Sequence, residues 1–122
     1  MKHSTGTPTK AEAARMDDFR LIGCVPCYLL GYPSTPYDVQ HFVDGNRRIG
    51  HFATAPICPA HHRGVGFVQH LHVASIAINQ REFREVFGTD YELQLLTDRL
   101  ILIKRRQCGL PDRNIPEAER LT

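Results

Sequence analysis

The sequence predicts a small α+β fold, and three observations carry that expectation. Two short pairs of metal-ligand residues, Cys24-x-x-Cys27 and Cys58-x-x-His61, stand 30 residues apart. Between them lies a hairpin pattern with Asp44-Gly45 at its turn. On either side lie stretches with helical apolar spacing and capping residues at their starts.

The elements follow in chain order. Residues 1–7 read as a loose tail. Thr7 can cap a helix with Pro8 at its first position, and Gly23 ends it. Ala11, Ala14, Phe19 and Ile22 fall roughly on one stripe of that helix. Cys24-Val25-Pro26-Cys27 follows at once as a tight knuckle, and residues 31–36 form a loop rich in Gly, Pro, Ser and Thr. Residues 37–43 suit a strand, and residues 49–54 suit its return. Cys58-Pro59 opens a segment expected to turn helical around His61 and His62, interrupted by Gly64 and Gly66. Asn79 with Glu82 fits a capping box for a helix to Phe87, closed by Gly88. Asp90 can cap a last helix to about Arg106, with Leu93, Leu96, Leu100 and Ile103 inward. Gly109 and Pro111 end it, and a solvated tail spans about 111–122. No repeat or linker breaks the chain, so residues 1–122 read as one domain.

Composition sets bounds. A chain of 122 residues with 42% apolar side chains suits one domain with a modest core, which a metal staple would help to fold. The net charge of +2 is not by itself the footprint of a nucleic-acid binder, but Arg47/Arg48 and Lys104/Arg105/Arg106 are local basic clusters. No apolar run has the length of a membrane span, and the start lacks the apolar stretch of a secretion signal. The expected location is the cytoplasm, where a C-x-x-C pair reads as metal ligation rather than a disulfide.

Zinc takes four tetrahedral ligands from thiolates and imidazoles. Cys24 and Cys27 would supply one side of the ion, and Cys58 and His61 the other. The competing reading is that the cysteines are small buried apolar residues. Cys108 is a rival fourth ligand but stands alone. Adjacent helical residues point about 100° apart, so His61 and His62 cannot easily serve one ion. His62 would then face a second site containing His41. A neutral histidine can take a proton from water, and a divalent cation can stabilise charge on a phosphate; these are the parts for phosphodiester hydrolysis. His70 and His72 are candidate further ligands that share a face if they lie on a strand. His51 is a weaker candidate, and His3 belongs to the tail. Arg63 is a candidate phosphate contact, and Arg47 and Arg48 could grip a DNA backbone. Each of these arginines also has the plain reading of a solvated side chain, and Lys104/Arg105/Arg106 complements a helix C-terminus.

Three motifs now suggest a family. Leu21-Ile22-Gly23-Cys24-Val25-Pro26-Cys27, Asp38-Val39-Gln40-His41 and Ile57-Cys58-Pro59-Ala60-His61-His62-Arg63-Gly64 resemble the phage Ref (recombination enhancement function) type of HNH nucleases. Phe83 to Gly88 is similar to that family's later aromatic segment, with Phe83 and Phe87 in the aromatic places. The resemblance spans about residues 15–100. It implies a zinc-stapled ββα-metal (HNH, His-Me finger) core with flanking helices, and divalent-cation-dependent DNA cleavage, in some members with a recombinase filament. By motif, His41 falls on the general base and His62 on a catalytic metal ligand, with His72, or else His70, near a later histidine. Two departures stand out. Gln40 occupies a metal-ligand place, where Asp38 or a water would substitute for imidazole. The Asn-like position that orients the base falls on Ala53, with no evident replacement at Thr54 or His51. The leading expectation is a Mg²⁺- or other divalent-dependent DNA endonuclease of phage or prophage origin. The rival is a zinc-stapled DNA-binding or recombination adaptor that no longer cuts.

Overall fold

The computed structural model of the chain describes residues 6–45, 47–64 and 75–112. Its first helix, α1 (Lys10–Asp17), starts later than expected because Thr9, not Thr7, is the cap. Glu12 N donates to Thr9 Oγ1 at 3.2 Å while Thr9 N donates to Glu12 Oε1 at 2.7 Å. Thr7 has Lys10 three residues on and cannot form this reciprocal box. A 3-10 turn, Asp18–Leu21, carries the chain on to Gly23. Phe19 and Ile22 are buried as expected, but Ala11 is exposed. The buried residue of α1 is instead Arg15. Its guanidinium donates to Asp98 Oδ1 at 2.8 Å, to Thr54 Oγ1 at 2.7 Å and to the Thr54 carbonyl at 3.0 Å, which is what makes a buried charge tolerable.

After the short helix α2 (Val25–Leu29) come strands β1 (Asp38–His41), β2 (Val43–Asp44), β3 (Arg47–Arg48) and β4 (Thr54–Ile57). Asp38 pairs with Ile57 and His41 with Thr54, antiparallel; Val43 pairs with Arg48 beyond. The main returning strand is therefore 54–57, not 49–54. Ala53 N donates to Gly50 O at 3.2 Å, so residues 50–53 fold into a turn that steps out of the ladder. The wholly buried run Thr54–Ile57 then takes the central pairing. Arg47 and Arg48 stand on the exposed strand after the turn rather than in it.

Helix α3 (Pro59–Arg63) follows β4 directly, with Cys58 as N-cap and Gly64 as left-handed C-cap, φ 74°. Its last carbonyls are satisfied from a distance: Ile76 N donates to His61 O and Ala77 N to His62 O. In α4 (Gln80–Phe87), Asn79 Oδ1 accepts from Glu82 N at 3.2 Å, and Phe83 and Phe87 are the inward pair. Helix α5 (Asp90–Gln107) is capped by Thr89 in a full box with Glu92, so Asp90 is its first helical residue rather than its cap. Leu93, Thr97, Leu100 and Ile101 face inward, while Ile103 is 41% exposed. On a helix of 3.6 residues per turn Ile103 sits about 80° from Leu93, on the side away from Ile101. Arg105 is also buried, with Nη1 donating to Asp18 Oδ1 at 2.9 Å and Nε to the Pro111 carbonyl. Arg106 forks onto Asp112 at 3.1 and 2.9 Å. The first two residues of the expected tail therefore fold back on α5. The core joins Phe19, Ile22, Phe42, Ile57, Phe83, Leu93 and Ile101, under the β1–β4 hairpin. Among the described residues, no helix is long and apolar enough to cross a membrane.

Candidate metal centre and active site

The knuckle begins with Gly23, whose φ is +73°. A Cβ there would meet Thr35 N at 2.6 Å and Thr35 O at 2.7 Å, so only glycine fits both the backbone conformation and the space. Cys24 N donates to that same Thr35 carbonyl, which fixes the start of the turn. Cys24 is the N-cap of α2, and its Sγ accepts from Cys27 N at 3.5 Å. One turn of helix thus presents two sulfurs inward. Cys58 is the N-cap residue of α3 but makes no side-chain cap bond; its sulfur lies 3.2 Å from His61 Nδ1 instead.

The four side chains are buried, and their ligand atoms lie within 4.8 Å of one another. Cys27 Sγ is 3.8 Å from Cys58 Sγ; His61 Nδ1 is 3.6 Å from Cys27 Sγ and 3.9 Å from Cys24 Sγ. With Zn–S near 2.3 Å and Zn–N near 2.0 Å, a tetrahedron has edges of about 3.8 Å between sulfurs and about 3.5 Å between sulfur and nitrogen. The observed spacings bracket these values, so the residues fit a zinc ion with His61 bound through Nδ1. Burial pushes the Cys24 thiol well up. Hydrogen bonds from Cys24 and Cys27, and a weaker one from His61, hold Cys58 well down despite its burial. A bound cation would relieve this crowding of buried sulfur. Cys108 is exposed at the end of α5, outside the group. Phe87 stacks edge-on against the His61 ring at 5.1 Å and 77°, and Phe83 backs Phe87 at 5.1 Å. The two aromatic places of the sequence motif thus pack behind His61.

His62 diverges from His61 along α3, as helix geometry requires. Its Nδ1 lies 3.4 Å from Asp38 Oδ2 on β1. Arg63 reaches the same oxygen, with Nε and Nη2 each 3.2 Å away. Strand alternation puts Gln40 on the Asp38 face, and His41 closes the strand. Gln40 Nε2 donates to the His41 carbonyl at 3.4 Å. Among the described residues no hydrogen bond joins His41 to His62; His41 is bonded to His51 instead, Nε2 to Nδ1 at 3.0 Å. His51 is 7% exposed, and its Nε2 lies 2.8 Å from the Gly6 carbonyl. Burial, then the charge of Arg48, then His51 lower the His41 pKa to about 4. His41 is therefore neutral at physiological pH and free to accept a proton.

The sequence marks His51 only as a weaker metal-ligand candidate and as no evident replacement for the orienting residue, whereas the structure bonds it to His41. Ala53, on which the orienting position was expected to fall, is fully buried. The turn at 50–53 brings His51 to His41, a step that alternation along a regular strand hides. His3, His70 and His72 lie outside the described residues.

A small α+β domain with a buried three-cysteine, one-histidine centre that can hold zinc, beside a polar histidine cluster, is thus defined. The chain matches the family described as "Recombination enhancement, RecA-dependent nuclease" over residues 8–102. It therefore belongs to that family of nucleases, in keeping with the resemblance read from its motifs. No curated protein matches the chain.

Proposed function

We propose that the protein is a metal-dependent DNA endonuclease of the HNH type, of phage or prophage origin, with His41 as general base. The observation that carries this is the order of β1, β4 and α3, with Asp38 Oδ2 meeting His62 Nδ1 at 3.4 Å between strand and helix. One carboxylate oxygen and one imidazole nitrogen at that spacing suit two adjacent positions on a divalent ion. Asp38 and His62 would hold Mg²⁺ or another divalent cation, with His72 as a further candidate ligand. The cation would supply charge to stabilise the phosphate as it is attacked. His41 takes the proton from the attacking water, because it is neutral and only part-buried. Arg63 lies beside Asp38, where its planar fork can meet phosphate oxygens. Arg47 and Arg48, exposed on β3, grip the DNA backbone. The family description ties such nucleases to RecA, so a recombinase filament is the proposed partner and its DNA the proposed substrate.

The test is nicking of plasmid DNA, bare and with recombinase filament, in added Mg²⁺ or Mn²⁺. Wild type is expected to nick, and His41→Ala and His62→Ala to lose it. A second reading has its own observation. Arg63 already neutralises Asp38, and Gln40 stands at a ligand place, as suits a zinc-stapled adaptor that binds DNA without cutting. DNA binding with no metal-dependent nicking would establish that reading and overturn the first.

A further inference from the structure

His41 and His51 form a chain of two hydrogen bonds that ends on the N-terminal segment. His51 Nε2 lies 2.8 Å from the Gly6 carbonyl oxygen, and His51 Nδ1 lies 3.0 Å from His41 Nε2. A carbonyl oxygen only accepts, so His51 Nε2 carries a proton. A neutral imidazole has one N–H, so His51 Nδ1 is then a lone pair. His41 Nε2 must donate to it. In a neutral His41 that leaves Nδ1 as the basic nitrogen.

We propose that His51 and the Gly6 carbonyl form a positioning relay that locks His41 in its Nε2–H tautomer and presents Nδ1 as the proton-accepting atom. The catalytic part of this rests on His41 being the general base; the tautomer does not depend on cleavage. The relay is held from behind. Thr54 Oγ1 donates to the His51 carbonyl at 2.9 Å, and Arg15 Nη1 donates to Thr54 Oγ1 at 2.7 Å. The His41 and His51 rings meet edge-on, 5.2 Å between centroids at 74°. When His41 Nδ1 gains a proton from water, an O–H bond breaks and an N–H bond forms. The new positive charge strengthens the Nε2–H bond to His51, whose own N–H points down the Gly6 carbonyl dipole. His51 thus takes the orienting task that Ala53 cannot perform, and the segment before α1 becomes part of the active site.

The test uses the full, zinc-loaded chain with ¹⁵N-labelled histidine rings. Ring ¹⁵N–¹H spectra report which nitrogen of each ring holds the proton. Wild type is expected to show His41 protonated at Nε2. His51→Phe keeps the bulk but removes both bonds, and His41 is expected to lose that single tautomer. His51→Gln, whose amide both accepts and donates, is expected to restore it. For nicking, His51→Phe should lower kcat about tenfold to a hundredfold with KM unchanged, and His51→Gln should recover most of the loss. Removing residues 1–6 should reproduce the spectral change, which covers the case in which His51→Phe fails to fold. A wild-type proton on His41 Nδ1, or a His51→Phe protein with the wild-type tautomer, overturns the relay. If wild type cuts no DNA, the nuclease reading falls, while the ring spectra still decide the tautomer.

Discussion

Replacing Cys58 by Ala removes one of the four side chains that can hold zinc. Its sulfur lies 3.2 Å from His61 Nδ1 and 3.8 Å from Cys27 Sγ, so it bears on both halves of the centre. Structural zinc contributes about 10–16 kcal/mol of apparent binding free energy, or about 2.5–4 kcal/mol per ligand on an even split. A domain of this size is stable by about 5–15 kcal/mol, so the substitution takes a large share of it. The corresponding fall in Tm is about 10–20 °C. The assay is calorimetry with zinc content measured on the same samples. Wild type should hold one zinc per chain and lose stability when a chelator removes it. Cys108→Ser, at the exposed cysteine, is the control and should match wild type in both measures. Wild-type protein purified without zinc, or Cys58→Ala melting with wild type, would rule out a structural zinc at this group.

The His41 pKa of about 4 has consequences for pH. If His41 is the base, nicking should stay level from pH 8 to about 6 and fall only nearer 4; an apparent pKa of about 6.5 or above for the loss, that of an unperturbed histidine, contradicts this. The same residue affects folding. Between about 6.5 and 4 the unfolded chain binds the proton and the folded chain does not, so stability falls as pH drops through that window, measurable as a shift in denaturant midpoint. Arg15→Met leaves Asp98 and Thr54 without their buried donor and should cost about 3–5 kcal/mol in denaturant unfolding; a cost below about 1 kcal/mol would show the network to be dispensable. Arg47→Ala with Arg48→Ala should weaken DNA binding regardless of sequence and reduce the salt slope by about 2, and an unchanged slope would remove β3 from the interface.

The group of Cys24, Cys27, Cys58 and His61 was the most legible feature because its chemistry is written locally. Each pair of ligands sits within one turn of backbone, so spacing alone shows that both can face one point. The caps of α4 and α5 were legible for the same reason, although Thr89 rather than Asp90 does the capping, since only Thr89 has a glutamate three residues on. Arg15 and Arg105 could not be read as buried. What permits their burial is Asp98 and Thr54 for one and Asp18 for the other, far along the chain and near only after folding. The His41–His51 contact was hidden in another way. It depends on the 50–53 turn leaving the ladder, and a strict period of two along the expected strand 49–54 erases that turn. Ile103 failed because an apolar stripe was followed without its drift around the helix.

The adjacency of His61 and His62 on α3 bears on how the protein is handled at the bench. Chelating agents are the usual way to ask whether a nuclease depends on an added divalent ion. Here the same treatment would also strip a zinc held by Cys58 and His61 at the start of α3, and His62 would then lose its bearing along with the fold. Loss of cutting in chelator therefore carries two meanings at once. They separate by add-back: zinc alone should return the melting transition, and under the proposed mechanism cutting should reappear only when a second divalent ion is added.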